Sequence, residues 1–210
     1  MIKIESTTKE RIEAIAKSQK ADKILVEKLV RALMLLEGLT KADLDFVFRG
    51  GTALMLLFSS SKRLSIDIDI IVPDKEAEFD SILEEICKKY GFARYEEQQR
   101  KAKTKIDKTH YKLFFHSVIE EKESHVLLDI LKEDIHYQNV IEVPIDSLFV
   151  ELDGTATQVR VPDFNNILGD KLTAFAPNTT RYSLQKRRKR NGYGNYKADV
   201  RYRLLVRPCG

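Results

Sequence analysis

The sequence reads as an α+β domain in which helices come first and a mixed β-sheet core, flanked by further helices, follows. Three observations predict this class. Apolar residues of the first 37 positions recur at helical spacing. The middle of the chain holds short β-branched runs bounded by glycine and proline, the composition of buried strands. Later apolar segments are joined by polar turns rather than helical crossovers, which argues for a mixed sheet over a wholly parallel one.

The elements follow in order. Ile12, Ile15 and Ala16, then Leu25, Leu29, Ala32, Leu33 and Leu36, predict two amphipathic helices between Thr7 and Glu37, broken near Gln19 to Asp22. A turn at Gly38 and a short helix at Ala42 to Asp45 are expected before the strand "FVFRGG", and "TALMLLF" has a helical pattern. "SIDIDIIVP" predicts a strand stopped by Pro73. Lys75 to Tyr90 predicts a helix with Phe79, Ile82, Leu83, Ile86 and Cys87 on one face, ended by Gly91. "HYKLFFHSVI" and "HVLLDILKED", separated by "EEKES", have the pattern of a hairpin. Short strands are expected near Leu148 and Val159, then a helix from Asp163 through Phe175 with Asp163 as its N-cap.

These patterns divide the 210 residues into a helical segment 1–45, a core 46–162, a helix 163–180 and an atypical basic tail 181–210. The tail carries ten of the 36 Lys and Arg residues and one of the 32 Asp and Glu, a net of +9, so the rest is at −5. The overall charge of +4 therefore belongs to the tail and says nothing of a nucleic-acid partner for the core. No apolar run approaches the roughly 20 residues of a bilayer span. The charged start lacks a signal core, so a soluble, cytoplasmic chain is expected, without a membrane partner. Cys87 and Cys209 form no CxxC pair and suggest neither a disulfide framework nor zinc.

The chemistry begins with two charges in an apolar strand. Side chains alternate along a strand, so Asp67 and Asp69 share one face while Ile66, Ile68 and Ile70 fill the other. The two carboxylates would stand about 7 Å apart along one edge. Such charges need a cation or donors to meet them; Mg²⁺ typically takes one or two carboxylates plus substrate phosphates. A solvated sheet face, or pairing with Arg or Lys, is the alternative. Upstream, Gly50, Gly51 and Thr52 sit between a strand and a helix, where backbone can approach an anion at free N–H groups; a plain tight turn is the alternative. Asp129 adds an acidic residue inside the apolar run "VLLDIL". A phosphate cradle in one turn and metal-type carboxylates on the next strand together describe a nucleoside triphosphate with its magnesium, and three carboxylates would suffice for a two-metal site.

Gly50-Gly51-Thr52, then Ser65-x-Asp67-x-Asp69, then an isolated strand aspartate, resembles the nucleotidyltransferase superfamily. More narrowly, "FRGGTALMLL…RLSIDIDI" with the late "NILGDKLTAF" is similar to the AbiEii/AbiGii toxin family of abortive-infection toxin–antitoxin systems, over about Phe46 to Phe175. The resemblance implies a nucleotidyltransferase-like core. It implies that Gly50, Gly51, Thr52 and Ser65 serve nucleotide binding, that Asp67, Asp69 and Asp129 bind Mg²⁺, and that Lys171 is a phosphate or active-site lysine. As a residue read alone, Lys171 is equally a solvated charge. Arg63, with Lys62, would steer phosphate unless the pair is simply surface. His110, His116, His125 and His136 have no ligand spacing and are assigned no chemistry; Phe114 and Phe115 read as core.

The implied activity is transfer of a nucleoside monophosphate from an NTP to an acceptor, with RNA, specifically tRNA, implied as acceptor and a cognate antitoxin as partner. A silent domain binding nucleotide, RNA or protein, or an enzyme acting on a small molecule, remain alternatives. The tail departs from the family's expected further helices and late aspartate. It reads as an RNA-binding tail, as a disordered basic segment, or as a frameshift product. One permitted back-translation, read one nucleotide onward, is free of stops and helical in period; with the abrupt charge shift this favours the frameshift. Asp199 is accordingly not equated with the late aspartate, and activity of this chain depends on what the tail replaces.

Overall fold

A computed structural model describes residues 1–58, 64–98 and 108–173. The chain divides into two compact units, Met1–Leu168 and Gly169–Gly210. After a 3₁₀ turn at Ile4–Thr7 come α1 (Lys9–Gln19) and α2 (Lys23–Lys41), then β1 (Val47–Arg49), α3 (Gly50–Phe58), β2 (Ile68–Val72) and α4 (Asp80–Tyr90). β3 (Arg94–Glu97), β4 (Lys108–His116), β5 (Glu123–Lys132), β6 (Val140–Pro144), β7 (Gln158–Pro162) and α5 (Phe164–Thr173) complete the order. Five strands form one mixed sheet in the order β1-β2-β5-β4-β3, as the α+β reading expects. Only β2 and β5 run parallel in it, and α4, β3 and β4 supply the long return that a parallel pair needs. β6 and β7 form a separate antiparallel pair, with β7 against β1.

One face of the sheet is the core. Tyr111, Leu113 and Phe115 of β4 and Val126, Leu128 and Ile130 of β5 are buried there with Leu29, Leu33 and Leu36 of α2 and Leu83 and Ile86 of α4. The alternate residues His110, Lys112, Phe114, His125, Leu127 and Asp129 are only half-buried, so the two faces differ in kind. Phe115 is therefore the core residue its composition suggested, while its neighbour Phe114 lies on the other face, beneath the Arg94 guanidinium at 3.7 Å.

The break between α1 and α2 falls where expected. Lys20 turns left-handed at φ 52°, and the Asp22 side chain accepts from the N–H groups of Ile24 and Leu25, a cap worth about 1 kcal/mol. Asp163 likewise accepts from the Asn166 N–H at 2.9 Å and caps α5. Several local expectations are corrected. Gly38 does not end a helix: α2 runs through it to Lys41, and a Cβ there would stand 2.8 Å from Ile86 Cγ1, so the glycine serves close approach of α4. Ala42 to Asp45 form no helix, the chain turning at Asp43 with φ 56°. α4 starts at Asp80 rather than Lys75. Leu148 lies in a turn, 64% exposed, and the partner of the strand at Val159 is instead Val140–Pro144. The helix expected through Phe175 is described to Thr173; Phe175, Lys62, Arg63 and the tail 181–210 lie outside the described residues.

Candidate active site

β1 passes directly into α3 through Gly50, whose φ of 84° suits glycine. A Cβ on Gly50 would collide with the Asp69 carboxylate, and one on Gly51 would stand 2.5 Å from Ser65 Oγ. The glycine pair thus lets Ser65, ahead of β2, and the Asp69 carboxylate, on it, lie against the start of α3. There the first four N–H groups lack helical acceptors and the helix dipole favours negative charge. Thr52 is fully buried, and its hydroxyl donates to the Asp67 carbonyl at 2.8 Å, so its side chain fastens the stretch before β2. What Thr52 offers a ligand at this turn is its main chain.

Asp69 on β2 is the register partner of Asp129 on the parallel neighbour β5. Strands lie about 4.8 Å apart, so the two carboxylates emerge side by side on the half-open face. Arg49 stands opposite Asp69 on β1, and His110 opposite Asp129 on β4. A single row therefore crosses four strands as Arg49, Asp69, Asp129 and His110. Within it His110 Nδ1 lies 2.6 Å from Asp129 Oδ1.

Asp67 sits one residue before β2, not within it, with its carbonyl given to Thr52. The residue is exposed. Partial burial, then the negative charge of Asp129, push its pKa above the ordinary value, while Lys28 of α2 pulls the other way. Asp67 and Asp129 hence sense each other across the gap between β2 and β5. The donor set is hard oxygen, the chemistry Mg²⁺ takes. Among the described residues no three His, Cys, Asp or Glu side chains converge as a group that could hold a metal ion; Asp69 and Asp129 are two carboxylates in register, and Mg²⁺ typically takes one or two from a protein.

The first unit thus brings together Gly50, Gly51, Ser65, Asp67, Asp69 and Asp129, with Thr52 behind them. Lys171 is in the last turn of α5, half-buried, and belongs to the second unit. Sequence reasoning passed over His110 and Arg49. The expected turn "EEKES" would have set His110 opposite Asp134; the turn instead lies at Ser117 to Lys122, and that register, with His116 opposite Glu123, sets His110 opposite Asp129.

The family profile described as nucleotidyl transferase AbiEii toxin, Type IV TA system, matches residues 35–192. The chain belongs to this family. The AbiEii match spans β1 through α5 and every carboxylate of the site, and runs twelve residues into the basic tail. No curated protein matches the chain. Among solved structures it is similar to a proposed nucleotidyltransferase from H. pylori, at 20% identity and TM-score 0.46, covering 70% of this chain and 56% of that one. It is also similar to JHP933 from Helicobacter pylori, at 20% identity and TM-score 0.47, covering 70% and 55%. The chain thus spans little more than half the length of either. No helix among the described residues is long and apolar enough to cross a membrane.

Proposed function

We propose that this AbiEii-family chain is an Mg²⁺-dependent nucleotidyltransferase of the cytoplasm, moving a nucleoside monophosphate from an NTP to an acceptor hydroxyl on RNA, specifically tRNA. The observation that carries the reading is the register of Asp69 beside Asp129, with the Asp69 carboxylate against the Gly50 backbone at the start of α3. Cation ligands and phosphate-binding N–H groups then meet at one point.

In this reading Asp67, Asp69 and Asp129 hold magnesium, which when bound supplies neutralisation of phosphate charge and a lowered pKa for the attacking hydroxyl. The N–H groups opening α3 receive phosphate oxygens, and the missing side chains of Gly50 and Gly51 leave the room. The acceptor oxygen bonds to the α-phosphorus, the bond from that phosphorus to the bridging oxygen breaks, and pyrophosphate departs with the electron pair. The hydroxyl proton is released to solvent. Catalysis is then positioning and electrostatics, without a covalent enzyme intermediate. On family grounds Lys171 is proposed as a phosphate or active-site lysine and a cognate antitoxin as the protein partner, and Arg63, with Lys62, is proposed to steer phosphate by its charge.

The test is transfer of label from each α-labelled NTP, with Mg²⁺, to bulk tRNA by the chain and by Asp69→Ala. Label that requires Asp69 supports the reading. Label unaffected by the substitution overturns the metal assignment. Nucleotide binding without transfer points instead to the silent binding domain, and transfer only to small molecules to the other alternative.

A further inference from the structure

Asp129 faces a problem that its neighbours create. Asp69 stands beside it and Asp67 lies near enough for their charges to interact, and like charges repel, so holding Asp129 toward both takes a restraint. The fold supplies a restraint from the opposite side. His110 is the antiparallel partner of Asp129, and its Nδ1 is 2.6 Å from Oδ1. A carboxylate that binds a cation is ionised and only accepts, so in that state Nδ1 is the donor. The imidazole is seated in the sheet with 13% of its side chain exposed, whereas the Asp129 side chain keeps 35%. The ring is thus fixed and the carboxylate it holds stays accessible.

We propose that His110 is a positioning residue: its Nδ1–H fixes the Asp129 carboxylate in the orientation that lets Asp129 and Asp69 share one divalent cation. This rests on the metal-binding part of the function proposed above. A cation gains from two carboxylates only when both point inward together, and groups that orient a ligand from behind govern affinity nearly as strongly as the ligand. His110 needs no proton transfer for this role.

The experiment titrates the full chain with Mn²⁺ as probe and reads free Mn²⁺ by electron paramagnetic resonance. His110→Phe keeps the ring volume and removes the donor. His110→Asn retains an amide N–H where Nδ1 stands, and His110→Gln carries its amide one bond too far. Expected are a 10–100-fold weaker Mn²⁺ affinity for His110→Phe and His110→Gln, and retention within about threefold for His110→Asn. Equal affinity in all three variants, or no Mn²⁺ binding by the wild type, overturns the proposal. If His110→Phe does not fold, the contrast of Asn with Gln decides alone. Labelled-nucleotide transfer is followed in parallel: graded Mn²⁺ affinity in a chain that transfers nothing would sink the enzymatic reading and leave the role of His110 standing.

Discussion

Two groups of carboxylates flank the same five-stranded sheet and are treated in opposite ways. On the core side, Glu27 and Glu37 of α2 are almost wholly buried, at 1% and 0% exposure. Glu37 accepts from the N–H of Ile2 and the hydroxyls of Tyr90 and Thr157, and pairs with Lys41 at 3.2 Å. Burial pushes its pKa up, but the Ile2 N–H, the Thr157 hydroxyl and Lys41 outweigh that, and the net displacement is downward. Glu27 accepts from Ser117 Oγ at 2.6 Å and the Val118 N–H at 2.7 Å, tying α2 to the β4–β5 turn. On the other side Asp67 is more exposed, yet its pKa is displaced upward, by desolvation and by Asp129. Glu37 is met by several donors at once and its charge is favoured, whereas Asp67 carries its charge against that of Asp129, whose own carboxylate is met by His110.

The strongest way to break that comparison is to remove the buried acceptor. Glu37→Leu leaves Tyr90, Thr157, Ile2 and Lys41 without their shared partner and is expected to cost about 3–5 kcal/mol in urea unfolding, with unchanged transfer per folded molecule. The pH dependence carries a sign. Because the folded pKa of Glu37 is depressed, its stabilisation is fully present above the ordinary carboxylate value of about 4.3 and is lost as pH falls through the folded pKa. The stability gap between wild type and Glu37→Gln should close on acidification; a gap that widens would reverse the assignment.

The complementary substitution, Asp69→Asn, should lower transfer by about 10²–10³-fold while moving unfolding free energy by less than about 1 kcal/mol. A stability loss comparable to that of Glu37→Leu would make Asp69 structural and erase the contrast. Between these lies the glycine turn. Gly51→Ala must displace Ser65, whose Oγ would stand 2.5 Å away, and should cost about 1–3 kcal/mol. Adding Ser65→Ala removes that oxygen and should recover part of the loss; no recovery would place the strain elsewhere.

The smallest expected effect concerns Asp67. Its raised pKa means that the ionised form burdens the fold, and that the favourable contribution, present below the unfolded pKa, is gone once pH rises through the folded one. Asp67→Asn should therefore raise the melting temperature at pH 7 by about 1–2 °C without Mg²⁺. The same change should weaken Mn²⁺ binding, the trade expected where function sets like charges together.

Much of this was legible in the residues themselves. Apolar spacing marked α1, α2 and α4, an N-cap aspartate marked α5, a β-branched run marked β2, two apolar segments about a polar turn marked β4 and β5, and the aspartates stood out because charge is rare inside apolar strands. These signals are local, since a side chain's partition between water and core depends on its immediate neighbours. Only the tertiary structure decided that Gly38 serves the approach of α4 rather than a turn, that Val140–Pro144 rather than Leu148 pairs with β7, and that Thr52 binds the chain rather than facing outward. It also decided that His110 meets Asp129 and that Asp69 lies beside it. Those facts depend on which distant segment arrives opposite, a choice made by the sheet as a whole because strand pairing is satisfied between elements and not within them.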